Sequence, residues 1–116
     1  MKFTVRNVTR SSSIGDHIET ADSSRQRRTG LLKHSSLDDG AGLWIIPCEA
    51  VHTFFMKFAL DLIYIDRKHV VKAVVRDVKP WRMSACFAAH SVIELPAGTI
   101  ERTGTQRGDQ LELLKA

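Results

Sequence analysis

The chain has 116 residues, of which 43% are hydrophobic and 26% are charged, and its formal net charge is +4. This length predicts a single domain, residues 1–116, with enough buried surface for one core, and the balanced composition excludes a disordered chain. No apolar run is long enough for a membrane-spanning helix or a secretory signal, so we expect a soluble, cytoplasmic protein with no membrane partner. A leader removed from the sequence would change that localisation.

The excess positive charge lies near the N-terminus. Residues 1–36 contain seven Lys or Arg against three acids, whereas residues 37–116 contain ten of each. The densest part is Arg25, Arg27 and Arg28, which we interpret as a solvated helix face. Nucleic-acid binding through these arginines is kept only as an alternative.

The first third of the chain predicts a hairpin followed by a helix. Alternating apolar residues over Phe3–Val8 and His17–Ala21 are typical of two short strands, with turn residues between them. Asp22 and Ser23 are suitable caps for a helix from about Ser23 to Leu32, which would be the N-terminal helix of the fold.

The middle of the chain predicts a second hairpin. The apolar run Leu43–Ile46 is a buried strand that Pro47 ends. Residues 48–58 have no clean period, so we expect an irregular segment or a short turn of helix. Leu60–Ile65 and the β-branched run His69–Val78 then form the central hairpin.

The C-terminal third predicts two strands and a helical turn. A strand over Ala89–Leu95 leads into a short helical turn that Gly104 ends, and Gly108-Asp109 turns the chain into the last strand. We therefore predict an α+β fold that is predominantly antiparallel β. Its sheet is partly closed and barrel-like, with one N-terminal helix and one short C-terminal helical turn.

Several short motifs, each present once, are spread between about Ala21 and Leu113. They are Ala21-Asp22-Ser23 with Arg25, Arg28 and Gly30-Leu31, then Phe55-Met56-Lys57, Leu60-Asp61-Leu62-Ile63-Tyr64-Ile65-Asp66, Pro80-Trp81-Arg82, Ile93-Glu94-Leu95-Pro96-Ala97-Gly98-Thr99, Gly104 and Gly108-Asp109. In combination, and at these spacings, they resemble the family known as domain of unknown function 192. The resemblance implies a β-rich fold of a bacterial-type family, and it assigns no activity.

The chain departs from that family at one motif. The family usually has Phe-Trp-Met-Lys-Asn-Thr where this chain reads Phe-Phe-Met-Lys-Phe-Ala over Phe54–Ala59. The polar pair after the lysine is missing, so any chemistry that it supports in relatives is not carried over. A local likeness around Gly104 and Gly108-Asp109 is similar to the half-motif of cradle-loop barrels, which include swapped-hairpin transcription regulators. Such turns are common, and we infer no DNA binding from this one.

Candidate functional side chains cluster in the most apolar part of the chain, Leu43–Asp66. Lys57 lies in an apolar run, where desolvation would lower its pKa, while Asp61 would favour its ammonium form. We interpret the two as an ion pair that marks the position of a pocket. Glu94 either caps the following helical turn or pairs with Arg76 or Lys57. Trp81 is either a ligand platform or folds back over the barrel end.

The leading hypothesis is a small binding module for an unknown small molecule that is anionic or bears a carboxylate. Its candidate residues are His52, Met56, Lys57, Asp61, Trp81 and Glu94. One alternative is an enzyme with Cys48 or Lys57 as its nucleophile. The spacing of four residues in Cys48/His52 and Cys86/His90 leaves a metal site open as a further alternative. We expect no metal and no cofactor, and the oligomeric state is not predicted.

Overall fold

The computed structural model describes residues 1–21, 36–54 and 56–116, which form mainly β-strands. The elements, in chain order, are β1 Lys2–Asn7, β2 Ser12–Ala21, β3 Ala41–Ile45, β4 Ala50–His52, β5 Leu60–Ile65, β6 Val71–Val78, β7 Met83–Ala85, β8 Ser91–Pro96, the helix α1 Thr99–Thr103 and β9 Leu111–Lys115. In these ranges no helix is long and apolar enough to cross a membrane.

Seven of the strands form one sheet that curls into a half-barrel. Their order is β6-β5-β8-β3-β2-β1-β9, and β2 with β3 is the one parallel pair among the described strands. The two edges of the sheet meet where residues 69–71 lie beside residues 108–111. Val70 forms a bridge with Gln110 there, and the N–H of Val71 donates to the carbonyl of Asp109 at 2.8 Å. The predicted partly closed, mostly antiparallel sheet is confirmed.

Apolar clusters cover both faces of this sheet. The inner cluster contains Ile63 and Ile65 from β5, whereas the outer cluster contains Leu60, Leu62 and Tyr64 from the same strand. Successive side chains of a strand point to opposite faces, so β5 is buried on both sides. This explains why its sequence is almost continuously apolar.

Most predicted elements of the main sheet are confirmed. The hairpins β1-β2 and β5-β6 pair antiparallel as expected, although β2 begins at Ser12, among the residues predicted to form the turn. The C-terminal helical turn is α1, and Gly104 ends it at a φ of 71°, a conformation that glycine adopts without strain. The predicted N-terminal helix, from about Ser23 to Leu32, lies outside the described residues. Within the described ranges α1 is the only helix, so the fold there is almost entirely β.

One predicted segment is wrong in part. Residues 48–58 were expected to be irregular or to form a short helical turn, but they contain β4, which pairs antiparallel with β7. We call this pair the ribbon. Strands of three residues are too short to show an alternating pattern. The ribbon lies over the outer cluster, against which Val51 and Cys86 pack.

Candidate functional site

An open cleft of about 360 Å³ lies between the end of β6 and the ribbon. It is lined by Val75–Lys79 of β6 and the loop that follows it, and by Arg82–Ser84 at β7. Small-molecule sites in proteins begin at about 300 Å³, so the cleft is large enough for a small ligand.

The charge around this cleft is mainly positive. Arg76, Lys79 and Arg82 line it together with one acid, Asp77. Nζ of Lys79 lies 3.8 Å from Oδ2 of Asp77, so that acid already has a cationic neighbour. Neither Arg76 nor Arg82 forms an ion pair with a carboxylate in the described part of the chain. Arg76 and Arg82 are both exposed, and Nη1 of Arg82 donates to the carbonyl of Trp81 at 3.4 Å, so the cleft offers an anion two cationic residues.

Thr53 holds the backbone on one side of the cleft. Its side chain is 1% exposed, and Oγ1 donates to the carbonyl of Lys79 at 2.6 Å while it accepts from the N–H of Arg82 at 2.8 Å. The N–H of Thr53 also donates to the carbonyl of Arg82 at 2.8 Å. The backbone of Arg82 is thus fixed through both its N–H and its carbonyl.

Two residues beside the cleft have left-handed backbone conformations. Asp77 has a φ of 51° and Trp81 a φ of 66°, values that non-glycine residues seldom adopt. The N–H of Asp77 donates to Oδ1 of Asp61 at 2.9 Å, and the N–H of Trp81 donates to the carbonyl of Thr53 at 3.0 Å. Such conformations cost free energy and persist where surrounding contacts hold them.

Asp61 stabilises the backbone near the cleft and is not paired with Lys57. Besides the N–H of Asp77, its buried carboxylate accepts from the N–H groups of Gly98 and Ile100, at 3.1 and 2.8 Å. It therefore fixes the end of β6 to the start of α1. The first N–H groups of a helix have no partner within the helix, and a carboxylate that accepts from them stabilises the helix start. Lys57 is exposed, so its predicted desolvation is wrong, and no ion pair joins it to Asp61 in the described ranges.

Glu94 lies in β8 on the face of the outer cluster, between its cross-strand neighbours Leu43 and Leu62. The residue is 5% exposed, and its Oε1 has no hydrogen-bond partner among the described residues. Burial raises the pKa of Glu94 to about 7. The expected capping of α1, or pairing with Arg76 or Lys57, is not found in the described part of the chain.

A polar contact joins the outer cluster to the cleft. The hydroxyl of Tyr64 donates to Oγ of Ser84 at 3.0 Å, and Ser84 lines the cleft. Burial raises the pKa of Tyr64 to about 12, and the neighbouring Cys48, Cys86 and Glu94 act in the same direction. Sequence reasoning missed this contact, since the two residues are 20 positions apart and Ser84 lies in a strand of three residues that carries no recognisable pattern.

The two cysteines are half-buried thiols beside the ribbon. Sγ of Cys48 lies 3.0 Å from the carbonyl oxygen of Ala50. His52 belongs to β4, so the helix that would have placed Cys48 and His52 on one face is not formed. Among the described residues, no three His, Cys, Asp or Glu side chains are grouped as metal ligands.

Three aromatic rings, of which the outer two are exposed and the middle one is half-buried, form a stack next to the cleft. The ring centroids of His52 and Phe54 are 4.9 Å apart with an interplanar angle of 33°, and those of Phe54 and Trp81 are 5.6 Å apart at 26°. We call these three rings the ring stack. Trp81 is 55% exposed, and neighbouring Met83 of β7 is 77% exposed. Trp81 therefore does not fold back into a core.

None of the six predicted ligand-binding residues lines the cleft. His52 and Trp81 belong to the ring stack beside it, Met56 is buried in the outer cluster, and the other three occupy the positions given above. The cations that do line the cleft were not predicted as a site, although Arg82 belongs to the Pro80-Trp81-Arg82 motif. The alternative nucleic-acid residues Arg25, Arg27 and Arg28 lie outside the described residues.

The fold defines a small, mostly antiparallel β protein whose sheet is curled into a half-barrel. Sequence comparison places it more narrowly. The family model described as "Uncharacterized ACR", domain of unknown function 192, matches residues 5–113, and the chain belongs to that family.

Relatives with the family name UPF0127 have similar sequences. The protein of Pyrococcus furiosus is 32% identical over an alignment of 113 residues, and the match covers 91% of this chain and 94% of the relative. The protein of Pyrococcus horikoshii is 30% identical over an alignment of 112 residues, and the match covers 91% of this chain and 95% of the relative. Both organisms are archaea, so the expected bacterial type of family is not supported.

Two solved structures share the fold. A putative transcription regulator from Sinorhizobium meliloti superposes with a TM-score of 0.81 at 20% identity, over 96% of this chain and 91% of that one. A protein of unknown function from Novosphingobium aromaticivorans superposes with a TM-score of 0.78 at 21% identity, over 95% of this chain and 82% of that one. At these identities the likeness shows the fold alone.

Proposed function

We propose that the protein is a small binding module that holds an anionic or carboxylate-bearing small molecule in the cleft between β6 and the ribbon. The observation that carries this proposal is the presence of Arg76 and Arg82 at the cleft, with no carboxylate paired to either in the described ranges. A guanidinium group presents a planar fork of N–H donors that matches a carboxylate or a phosphate.

The surroundings of these arginines favour binding over mere solvation. Val75, Val78 and Met83 supply apolar surface to the same cleft, against which the carbon skeleton of a ligand can pack. The hydrogen bonds of Thr53 fix the backbone that carries Arg82 before any ligand arrives. A site that is already ordered loses less entropy when it binds.

The proposal also revises the position of the predicted pocket. The expected anionic ligand is retained, but its charge partners become Arg76, Lys79 and Arg82 in place of Lys57. His52 and Trp81 stay beside the ligand through the ring stack, a role developed in the next subsection.

An NMR titration with inorganic phosphate and with succinate tests the proposal. We expect the backbone amides of residues 75–79 and 82–84 to shift in a saturable manner. The double variant Arg76→Gln/Arg82→Gln is expected to bind at least tenfold more weakly, since a hydrogen bond to a charged group contributes about 1.5–3 kcal/mol.

Arg67→Gln is the matched control, because Arg67 is exposed in the turn before β6, at the opposite end of that strand from the cleft. It should bind both probes as the unaltered protein does. Amides of the cleft that do not respond to either anion would refute the proposal, as would a double variant that titrates normally.

A further inference from the structure

We propose that the ligand of this site is a mononucleotide, with its phosphate against the arginines of the cleft and its base against the ring stack. This inference rests on the proposed function and names the class of its ligand. It uses the ring stack, in which His52 and Trp81 are exposed and Phe54 is half-buried.

The ring stack is a surface suited to a planar ligand. Its three rings lie within about 33° of parallel from one neighbour to the next, and Trp81 remains more than half exposed. Single apolar side chains are common on protein surfaces, but a stacked set of rings held in one orientation is a platform. Heterocyclic bases stack on such platforms whatever their sequence.

The ring stack and the cations are held as one unit. Trp81 directly precedes Arg82, and both are hydrogen-bonded to Thr53, which lies between His52 and Phe54 in the chain. A ligand that contacts both surfaces must therefore carry an anionic group and a planar ring on one small molecule. A nucleoside phosphate has both.

The spacing of the rings favours one base over a run of bases. Centroids 4.9 and 5.6 Å apart leave no room for a base between neighbouring rings, so a base can stack only on an outer surface of the set. Proteins that bind single strands offer successive platforms for successive bases. The described residues offer one ring stack beside one basic cleft, which fits a mononucleotide.

Isothermal titration with adenosine 5′-monophosphate, ribose 5-phosphate and adenosine separates the two parts of the site. We expect the nucleotide to bind at least tenfold more tightly than ribose 5-phosphate, and adenosine to bind more weakly than the nucleotide. Trp81→Leu should remove the preference for the nucleotide over ribose 5-phosphate, while Trp81→Phe should keep most of it. Arg76→Gln/Arg82→Gln should weaken binding of both phosphates.

The outcomes distinguish this inference from the proposed function. If ribose 5-phosphate binds and the nucleotide binds no more tightly, the mononucleotide is wrong and the anion site stands. If no phosphate binds, both fail. A short single-stranded oligonucleotide that binds far more tightly than the mononucleotide would overturn the inference in favour of a strand. Circular dichroism of each variant checks that its fold is unchanged, and the Phe variant provides a second test if the Leu variant misfolds.

Discussion

Thr53 donates its hydroxyl hydrogen to the carbonyl of Lys79 at 2.6 Å, across the gap between the loop after β4 and the loop after β6. The same oxygen accepts from the N–H of Arg82. One buried hydroxyl thus joins two loops that are far apart in sequence, and it sets where Trp81 and Arg82 lie.

Replacing Thr53 by Val should therefore destabilise the protein and disorder the cleft. Valine has nearly the same shape but leaves the carbonyl of Lys79 and the N–H of Arg82 without their partner, which costs about 1–3 kcal/mol. Urea denaturation measures the free energy of unfolding. Thr20→Val is the control, because its hydroxyl makes only a 3.4 Å contact at the surface, and it should change stability by less than about 0.5 kcal/mol. Equal stability of both variants would show that the hydroxyl does not hold the loops.

Glu94 should make the stability of the protein fall as pH rises. Its folded pKa of about 7 lies above the usual value of 4.5, because burial disfavours the carboxylate. The folded state therefore binds the proton more tightly than the unfolded state does. The resulting stabilisation is fully present below about pH 4.5 and is lost as pH rises towards 7. A pKa shift of this size changes the free energy of unfolding by about 3 kcal/mol.

The variant Glu94→Gln, which cannot ionise, should remove this dependence. Urea denaturation of both proteins between pH 4 and pH 8 measures the difference between their free energies of unfolding. If Glu94 alone causes the pH dependence, this difference should change by about 3 kcal/mol over that range. Glu112→Gln, at an exposed position of β9, is the control and should follow the unaltered protein. If this difference in the free energy of unfolding stayed constant with pH, the raised pKa of buried Glu94 would be contradicted.

Asp109 should stabilise the junction of the two sheet edges. Its carboxylate accepts from Asn7, from Arg10 and from the N–H of Gln106, and its own carbonyl accepts from Val71. Burial alone would raise the pKa of Asp109, but the hydrogen bonds outweigh it and lower that pKa below its usual value. Asp109→Asn should cost about 2–3 kcal/mol, since hydrogen bonds to a charged group are lost.

The stabilisation by Asp109 should also depend on pH in the opposite direction to that of Glu94. A lowered folded pKa gives stability that is present above about pH 4 and lost as pH falls through the folded value. Thermal unfolding between pH 2 and pH 6 tests this. The difference in melting temperature between the unaltered protein and Asp109→Asn should shrink at the acid end. The corresponding difference for Asp39→Asn, at an exposed position, should show no such trend. An unchanged difference down to pH 2 would refute the role of the charge.

The sequence predicted the strands with long patterns and missed the short ones. Leu60–Ile65 was identified because its run is apolar except at Asp61, and α1 because Gly104 marks its end. The ribbon was missed because strands of three residues carry no measurable period. The ribbon forms one side of the cleft, so the position of the cleft was missed as well.

The roles of the charged residues were harder to predict for a different reason. Asp61 accepts from Gly98 and Ile100, residues 37 and 39 positions later in the chain, and a single sequence does not reveal contacts at such separations. Lys57 was expected to be buried because its neighbours are apolar, but the segment that carries it turns the side chain to solvent. Composition predicts that a core exists, whereas the path of the backbone decides which side chains enter it.

Burial of β5 on both faces has a consequence for how parts of the protein open. Its amides are protected by hydrogen bonds to β6 and β8 and by both apolar clusters, so they should exchange with deuterium only when the whole domain unfolds. The two strands of the ribbon pair only with each other and lie outside the seven-stranded sheet. Its amides should exchange by a local opening of lower free energy, and a ligand held in the cleft should slow that exchange while leaving the exchange of β1 and β9 unchanged.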